Sequence, residues 1–193
     1  MIPRHLQITF GILVVSVVLL VAYLFNLQSR TEERAHAPTA TTVPPSSKTE
    51  NVPVVIAYDQ AGVLRRSRLS IPVRTVSTER IRMILQSVVE EYTKPKASHT
   101  LGAGSEVTEV LLVNSRLAVI NVNSAFAEEH PSGIGSETLT VASLVDTVAA
   151  NLPGIEQVKF LVDGKPRDTL AGHADLTQTY NVAAVQQALP VSQ

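Results

Sequence analysis

The sequence predicts an α+β fold, a two-layer sandwich in which a mixed β-sheet carries two helices on one face. Apolar residues recur at helical spacing twice: Ile81, Ile84, Leu85, Val88, Val89 and Tyr92, then Val141, Leu144, Val145, Val148, Ala149 and Leu152. Each helical stretch follows two strand-like runs, and a last strand closes the chain, so the order reads ββα, ββα, β. The two halves are of similar length, which suggests one mixed sheet with both helices on the same face.

Residues 1–7 form a short tail ahead of an apolar run. Ile8 to Phe25 holds 18 residues without a charge, about 27 Å as a helix and enough to span a bilayer core. Tyr23 and Phe25 at one end and Arg4 at the other suit the interfaces. The expectation is a transmembrane signal anchor over residues 8–27, with a cytoplasmic N-terminus and the folded part outside the cytoplasm. A cleavable signal peptide and a buried helix of a soluble protein are the competing readings. Ala35-His36-Ala37 matches a small-x-small cleavage pattern, but it lies well beyond the apolar run, which is itself longer than a signal peptide needs.

Residues 28–51 are rich in Thr, Pro, Ser and Ala and show no apolar period, so they read as a disordered linker. The domain is expected over residues 52–180. Val54, Ile56 and Tyr58 make its first strand, Asp59 to Gly62 a turn, and Leu64 to Val73 a second strand whose Pro72 belongs at a sheet edge. The first helix follows Ser77-Thr78 and stops at Lys94-Pro95. Val107 to Val113 and Leu117 to Ser124 are two strands dense in Val, Ile and Leu, and Phe126 to Ile134 reads as an irregular loop.

The stretch Gly135 to Arg167 carries the clearest signals. Ser136 stands where an N-cap belongs, Glu137 lies in the first turn, and Pro153-Gly154 ends the helix. Val158, Phe160 and Val162 then alternate as in a half-buried strand, and Asp163-Gly164 is a turn dipeptide that tolerates positive φ. Residues 181–193 read as a C-terminal tail.

With no cysteine, the chain has no disulfide, thiolate metal site or cysteine nucleophile. A net charge of −1 names no partner class, but the charge is uneven. Between Arg65 and Arg82, six arginines (Arg65, Arg66, Arg68, Arg74, Arg80 and Arg82) face only Glu79. From Met83 onward, six basic residues oppose twelve acidic ones. The arginines are therefore a candidate interaction surface toward anionic lipid or an acidic partner, or else a charged edge that prevents strand pairing. They lack interleaved aromatics, which argues against nucleic acid.

The segment Ala118 to Asp175 resembles the GerMN domain family of sporulation and spore-germination proteins. The resemblance rests on VINVNSAF ending at Phe126, Gly135-Ser136-Glu137 at the helix start, Leu152-Pro-Gly-Ile before VKFLVDGK, and Gly172-His-Ala-Asp-Leu. Asn121 departs from the acidic residue often found there. The resemblance implies an extracytoplasmic cell-envelope domain without catalytic activity or cofactor, acting by assembly with envelope protein partners.

The remaining polar candidates each carry an ordinary structural reading. His173 and Asp175 could bind a metal or serve a hydrolytic dyad, yet no third ligand is placed to help, and a turn role accounts for them. Gly133-Ile134-Gly135-Ser136 could hold an anion at a helix start, but lacks the third glycine of a dinucleotide fingerprint. Asn121 and Asn123 interrupt an apolar strand as a bulge or polar ladder would. The expected function is a non-catalytic, single-pass, membrane-anchored envelope interaction module. An envelope hydrolase using His173 and Asp175, and a small-ligand-binding domain, are the alternatives.

Overall fold

The computed structural model describes residues 48–192. The expected tail 1–7, anchor 8–27 and most of the linker lie outside the described residues. Among the described residues, no helix is long and apolar enough to cross a membrane.

Among the described residues eleven elements follow in order: β1 (Thr49–Tyr58), β2 (Val63–Pro72), α1 (Ser77–Thr93), β3 (Val107–Leu112), β4 (Leu117–Val122), α2 (Ser124–Glu128), α3 (Ile134–Asn151), β5 (Gln157–Val162), β6 (Tyr180–Asn181), α4 (Val182–Ala188) and β7 (Val191–Ser192). The ββα, ββα, β order is present. β1 starts at Thr49, within the span expected to be linker, and the expected C-terminal tail contains α4 and β7. The loop expected after Phe126 begins as the short helix α2, whose N-cap is Asn123: its side chain accepts from the Phe126 N–H at 3.0 Å.

The expectation of one shared sheet is corrected. The strands form two sheets, β1-β2-β7 and β3-β4-β5-β6, and each is mixed. β1 pairs antiparallel with β2, and β2 pairs parallel with β7. In the other sheet β3 and β4 are antiparallel, β4 and β5 parallel, and β5 and β6 antiparallel.

The reason for the split lies on the outer edge of β1, where its backbone groups bond to side chains and a loop instead of a strand. Val55 N–H donates to Thr147 Oγ1 at 3.0 Å, and the Val55 carbonyl accepts from Ser143 Oγ at 2.6 Å. The Pro53 carbonyl accepts from Asn151 Nδ2 at 2.7 Å. Ala57 N–H donates to Tyr92 Oη at 2.8 Å, and the Ala57 carbonyl accepts from Ser98 Oγ at 2.7 Å. Asp59 N–H reaches the Ser98 carbonyl at 2.9 Å. Ser143, Thr147 and Asn151 stand one turn apart on α3, so one polar stripe of that helix runs along the strand. Pro53 has no N–H to satisfy at this edge.

Helix α3 can supply that stripe because it is buried nearly all round. Leu139 through Val148 are all buried, Ser143, Asp146 and Thr147 among them. Buried hydroxyls are tolerated only with partners, and the strand edge provides them. The apolar core is continuous, joining Val52 to Ala57 of β1, Ile81 to Tyr92 of α1, Ile120 and Val122 of β4, and Phe160 of β5.

At the other end of β5, Asp163 (φ 48°) and Gly164 (φ 72°) both take positive φ, as a primed two-residue turn requires. The expected helix cap at Ser136 moves: Gly133 is the N-cap, and Ser136 Oγ donates to the Pro131 carbonyl at 3.0 Å.

Thr147→Val keeps the shape of the side chain and removes the acceptor of the buried Val55 N–H. It should cost about 1–3 kcal/mol in urea unfolding, whereas the exposed Thr138→Val should change stability by less than about 0.5 kcal/mol.

Candidate functional site

Glu137 sits in the first turn of α3, where a negative charge is favoured by the free amides of the helix start. Its side chain has no exposed surface. Oε1 accepts from Gly133 N–H at 3.1 Å and from His173 Nδ1 at 2.8 Å. Oε2 accepts from the N–H groups of Ala171 at 3.0 Å, His173 at 2.8 Å and Ala174 at 2.8 Å. One buried carboxylate thus ties the Gly172-His-Ala-Asp-Leu loop to the start of α3.

Burial alone would push the Glu137 pKa up. The N–H donors and the His173 ring outweigh it and hold the pKa down at about 2. Gly172 takes φ 117° inside that loop, a left-handed conformation that favours glycine.

His173 and Asp175 are not joined. His173 pairs with Glu137, while Asp175 Oδ1 accepts from Thr177 N–H at 2.8 Å and Thr177 Oγ1 at 2.6 Å, closing a local turn. Those bonds to Thr177 lower the Asp175 pKa. Both residues line a cleft of about 510 Å³ beside α3 and α4, with Val141, Tyr180, Val185 and Leu189. The bond from Nδ1 to Glu137 leaves His173 Nε2 as the nitrogen available to a group in solution.

A second polar cluster was not legible in the sequence. His99 Nδ1 lies 2.6 Å from Asp59 Oδ1, and His99 Nε2 lies 2.6 Å from Thr140 Oγ1. Thr140 Oγ1 meets His130 Nε2 at 2.7 Å, and His130 Nδ1 meets the Pro131 carbonyl at 2.8 Å. His99, His130 and Thr140 are buried, and burial pushes the His130 pKa down.

The chain of bonds ends on acceptors at both sides, a carboxylate and a carbonyl. Thr140 Oγ1 also donates to the Ser136 carbonyl at 3.0 Å. The arrangement fastens three loops to α3 rather than opening toward a substrate.

Asn121 and Asn123 also hold backbone in place. Asn121 Oδ1 accepts from Gly164 N–H at 2.7 Å, and Asn123 Nδ2 donates to the Gly104 carbonyl at 2.7 Å. Asp146 is different. It is 2% exposed, neither carboxylate oxygen has a partner within hydrogen-bond geometry, and burial raises its pKa. It borders a cleft of about 220 Å³ with Arg66, Gln186 and Val191. Among the described residues, no group of three His, Cys, Asp or Glu side chains is placed to hold a metal ion.

The structure divides the six arginines. Arg80 makes a bidentate pair with Glu50 at 2.8 and 2.9 Å, which raises its pKa and lowers that of Glu50. Arg82 lies 3.6 Å from Glu79, and Arg74 Nε donates to Met83 Sδ at 3.0 Å. Arg65 lies over the Tyr58 ring, 4.9 Å from its centroid. Arg65, Arg66 and Arg68 are exposed in succession on β2.

Because the folded-state pKa of Glu137 lies below its ordinary 4.5, its contribution is present above about pH 4.5 and is lost as pH falls toward about 2. The shift corresponds to roughly 3 kcal/mol. Glu137→Gln should lose about that much stability at neutral pH and flatten the acid limb of stability against pH, measured by urea unfolding.

No curated protein sequence matches the chain. Among solved structures, a Clostridium perfringens protein whose name calls it a lipoprotein aligns at 16% identity and a TM-score of 0.41, over 73% of this chain and 93% of that one. The tandem GerMN domains of the sporulation protein GerM from Bacillus subtilis align at 16% identity and a TM-score of 0.49. That alignment covers 67% of this chain and 44% of the tandem protein, so the chain spans under half of its length. The first GerMN domain of the same protein aligns at 14% identity and a TM-score of 0.45, over 66% of this chain and 93% of that domain. The profile of the family Germane, described as sporulation and spore germination, matches residues 22–168. The chain belongs to the Germane family, the GerMN-related family of sporulation and spore germination.

Proposed function

We propose that the chain is a non-catalytic interaction module of the bacterial cell envelope, held at the membrane by its N-terminal apolar run with the folded domain outside the cytoplasm. The observation that carries this reading is the row of exposed arginines Arg65, Arg66 and Arg68 on β2, set on a domain whose later residues are net acidic. A row of exposed like charges is suited to an acidic partner surface, which it attracts and orients. Ile134, 71% exposed at the start of α3, and Val113, 61% exposed beyond β3, add apolar contact area elsewhere on the domain. Membership in the family supports a role connected with sporulation or spore germination.

The cleft beside His173 supports a second reading, an envelope hydrolase. There Glu137 orients the imidazole, and Nε2 would act as a base toward a water or a substrate hydroxyl. His173→Ala separates the two. The hydrolase reading expects loss of activity on cell-wall fragments or esters even at temperatures where the variant stays folded. The interaction reading expects only a stability loss, as one donor to Glu137 disappears.

Replacing Arg65, Arg66 and Arg68 together with Ser should reduce co-purification of envelope proteins with the full chain and leave its unfolding midpoint within about 1 kcal/mol. Unchanged co-purification would remove these arginines from the interaction surface.

A further inference from the structure

The β1–β2 hairpin treats its two outer edges in opposite ways. The β1 edge is closed by Ser143, Thr147, Asn151, Tyr92 and Ser98, as described above. Among the described residues, the β2 edge is closed by a strand only where β7 lies opposite Leu64 and Arg65.

The pleat fixes which groups face outward beyond that point. Val73 N–H donates to the Lys48 carbonyl at 3.1 Å, so odd-numbered residues of β2 turn their backbone groups toward β1. Val55, the partner of Arg66, turns its own N–H and carbonyl away from β2, which gives the same alternation. Arg66, Arg68 and Ser70 therefore direct N–H and C=O away from the hairpin, and all three residues are exposed.

An edge of this kind is a template for an incoming strand unless its side chains reject the newcomer. The side chains here discriminate by charge. A second copy pairing antiparallel about Arg68 would set Arg68 against Arg68 and repel itself. An extended segment with acidic side chains at alternate positions would instead pair with Arg66 and Arg68 while its backbone completed the ladder. We propose that the open β2 edge, from Arg66 to Ser70, receives an acidic extended segment of a partner protein as an added strand. This rests on the interaction reading above and specifies its partner and mode.

The test uses the full chain in mild detergent and a fluorescent octapeptide alternating Glu and Val, read by anisotropy, with amide exchange followed by NMR. The peptide should bind, bind less tightly as salt is raised, and slow exchange at the Arg66, Arg68 and Ser70 amides. A Lys-Val peptide should not bind. Arg66→Ser with Arg68→Ser should weaken binding about fivefold or more. Ser70→Pro removes an outward N–H that serves no bond within the hairpin, and should weaken binding about tenfold.

Peptide binding that needs the arginines but ignores Ser70→Pro and protects none of these amides would overturn strand addition while leaving a charged interaction surface in place. Protection of the arginines by titrated phosphatidylglycerol, without peptide binding, would overturn the proposal in favour of a lipid surface. Absence of binding to either probe would overturn it as well. Should Ser70→Pro fail to fold, amide protection in the unsubstituted chain decides the question. Loss of envelope-protein co-purification in the arginine variant without peptide binding would keep the interaction reading and overturn strand addition, whereas co-purification that ignores the substitutions would remove the arginine edge on which this proposal rests.

Discussion

The outer edge of β1 is the constraint on which the rest of the architecture depends. A strand buried on both faces must satisfy every backbone group, and here no neighbouring strand does so on one side. The polar stripe Ser143, Thr147 and Asn151 meets that need, with Tyr92 and Ser98 completing the row. Helix α3 is thereby fixed in height and rotation against β1. With that edge closed, β3 cannot extend the first sheet, and the remaining strands assemble a second one.

Glu137 plays the corresponding part at the far end of the chain. The LAGHADL segment has no long element of its own to position it, so backbone amides converge on one carboxylate instead. Charge-assisted bonds of this kind are stronger than neutral ones, and burial removes the competition of water. The His99–Thr140–His130 cluster does similar work for the loops near the start of α3. These polar groups look like chemistry when read one residue at a time. Together they are the fastenings of a small α+β domain to one central helix.

The two long helices, the five principal strands and the Asp163-Gly164 turn were legible because they rest on local periodicity and turn chemistry. The split into two sheets was not. It depends on three hydroxyl and amide side chains of α3, and within the helix pattern these read simply as polar interruptions. The late elements β6, α4 and β7 are too short to give a periodic signal. The family motifs Gly-Ser-Glu and Gly-His-Ala-Asp-Leu were visible in the sequence, but their bond to each other was not, since Glu137 and His173 are 36 residues apart. The pairing of His173 with Asp175 was suggested by closeness in sequence, and geometry assigns the imidazole to Glu137. The arginine cluster was legible as a charge run, and only the fold separates Arg74, Arg80 and Arg82, engaged within the domain, from the exposed row on β2.

The closure of β1 also sets an order for folding. The side chains that cap its edge from α3 stand 88 to 98 residues further along the chain. A polypeptide emerging N-terminus first can form the β1–β2 hairpin early, but the β1 edge around Pro53 and Val55 then remains bare until α3 has been made. Contacts this distant are slow to close, because the loop entropy is lost before the bonds form. In that interval the apolar Val52–Ala57 run is the part of the chain most exposed to wrong strand pairing. The arginines on β2 guard one side of the young hairpin, and on the other side the arrival of Ser143, Thr147 and Asn151 completes the closure that Tyr92 and Ser98 begin.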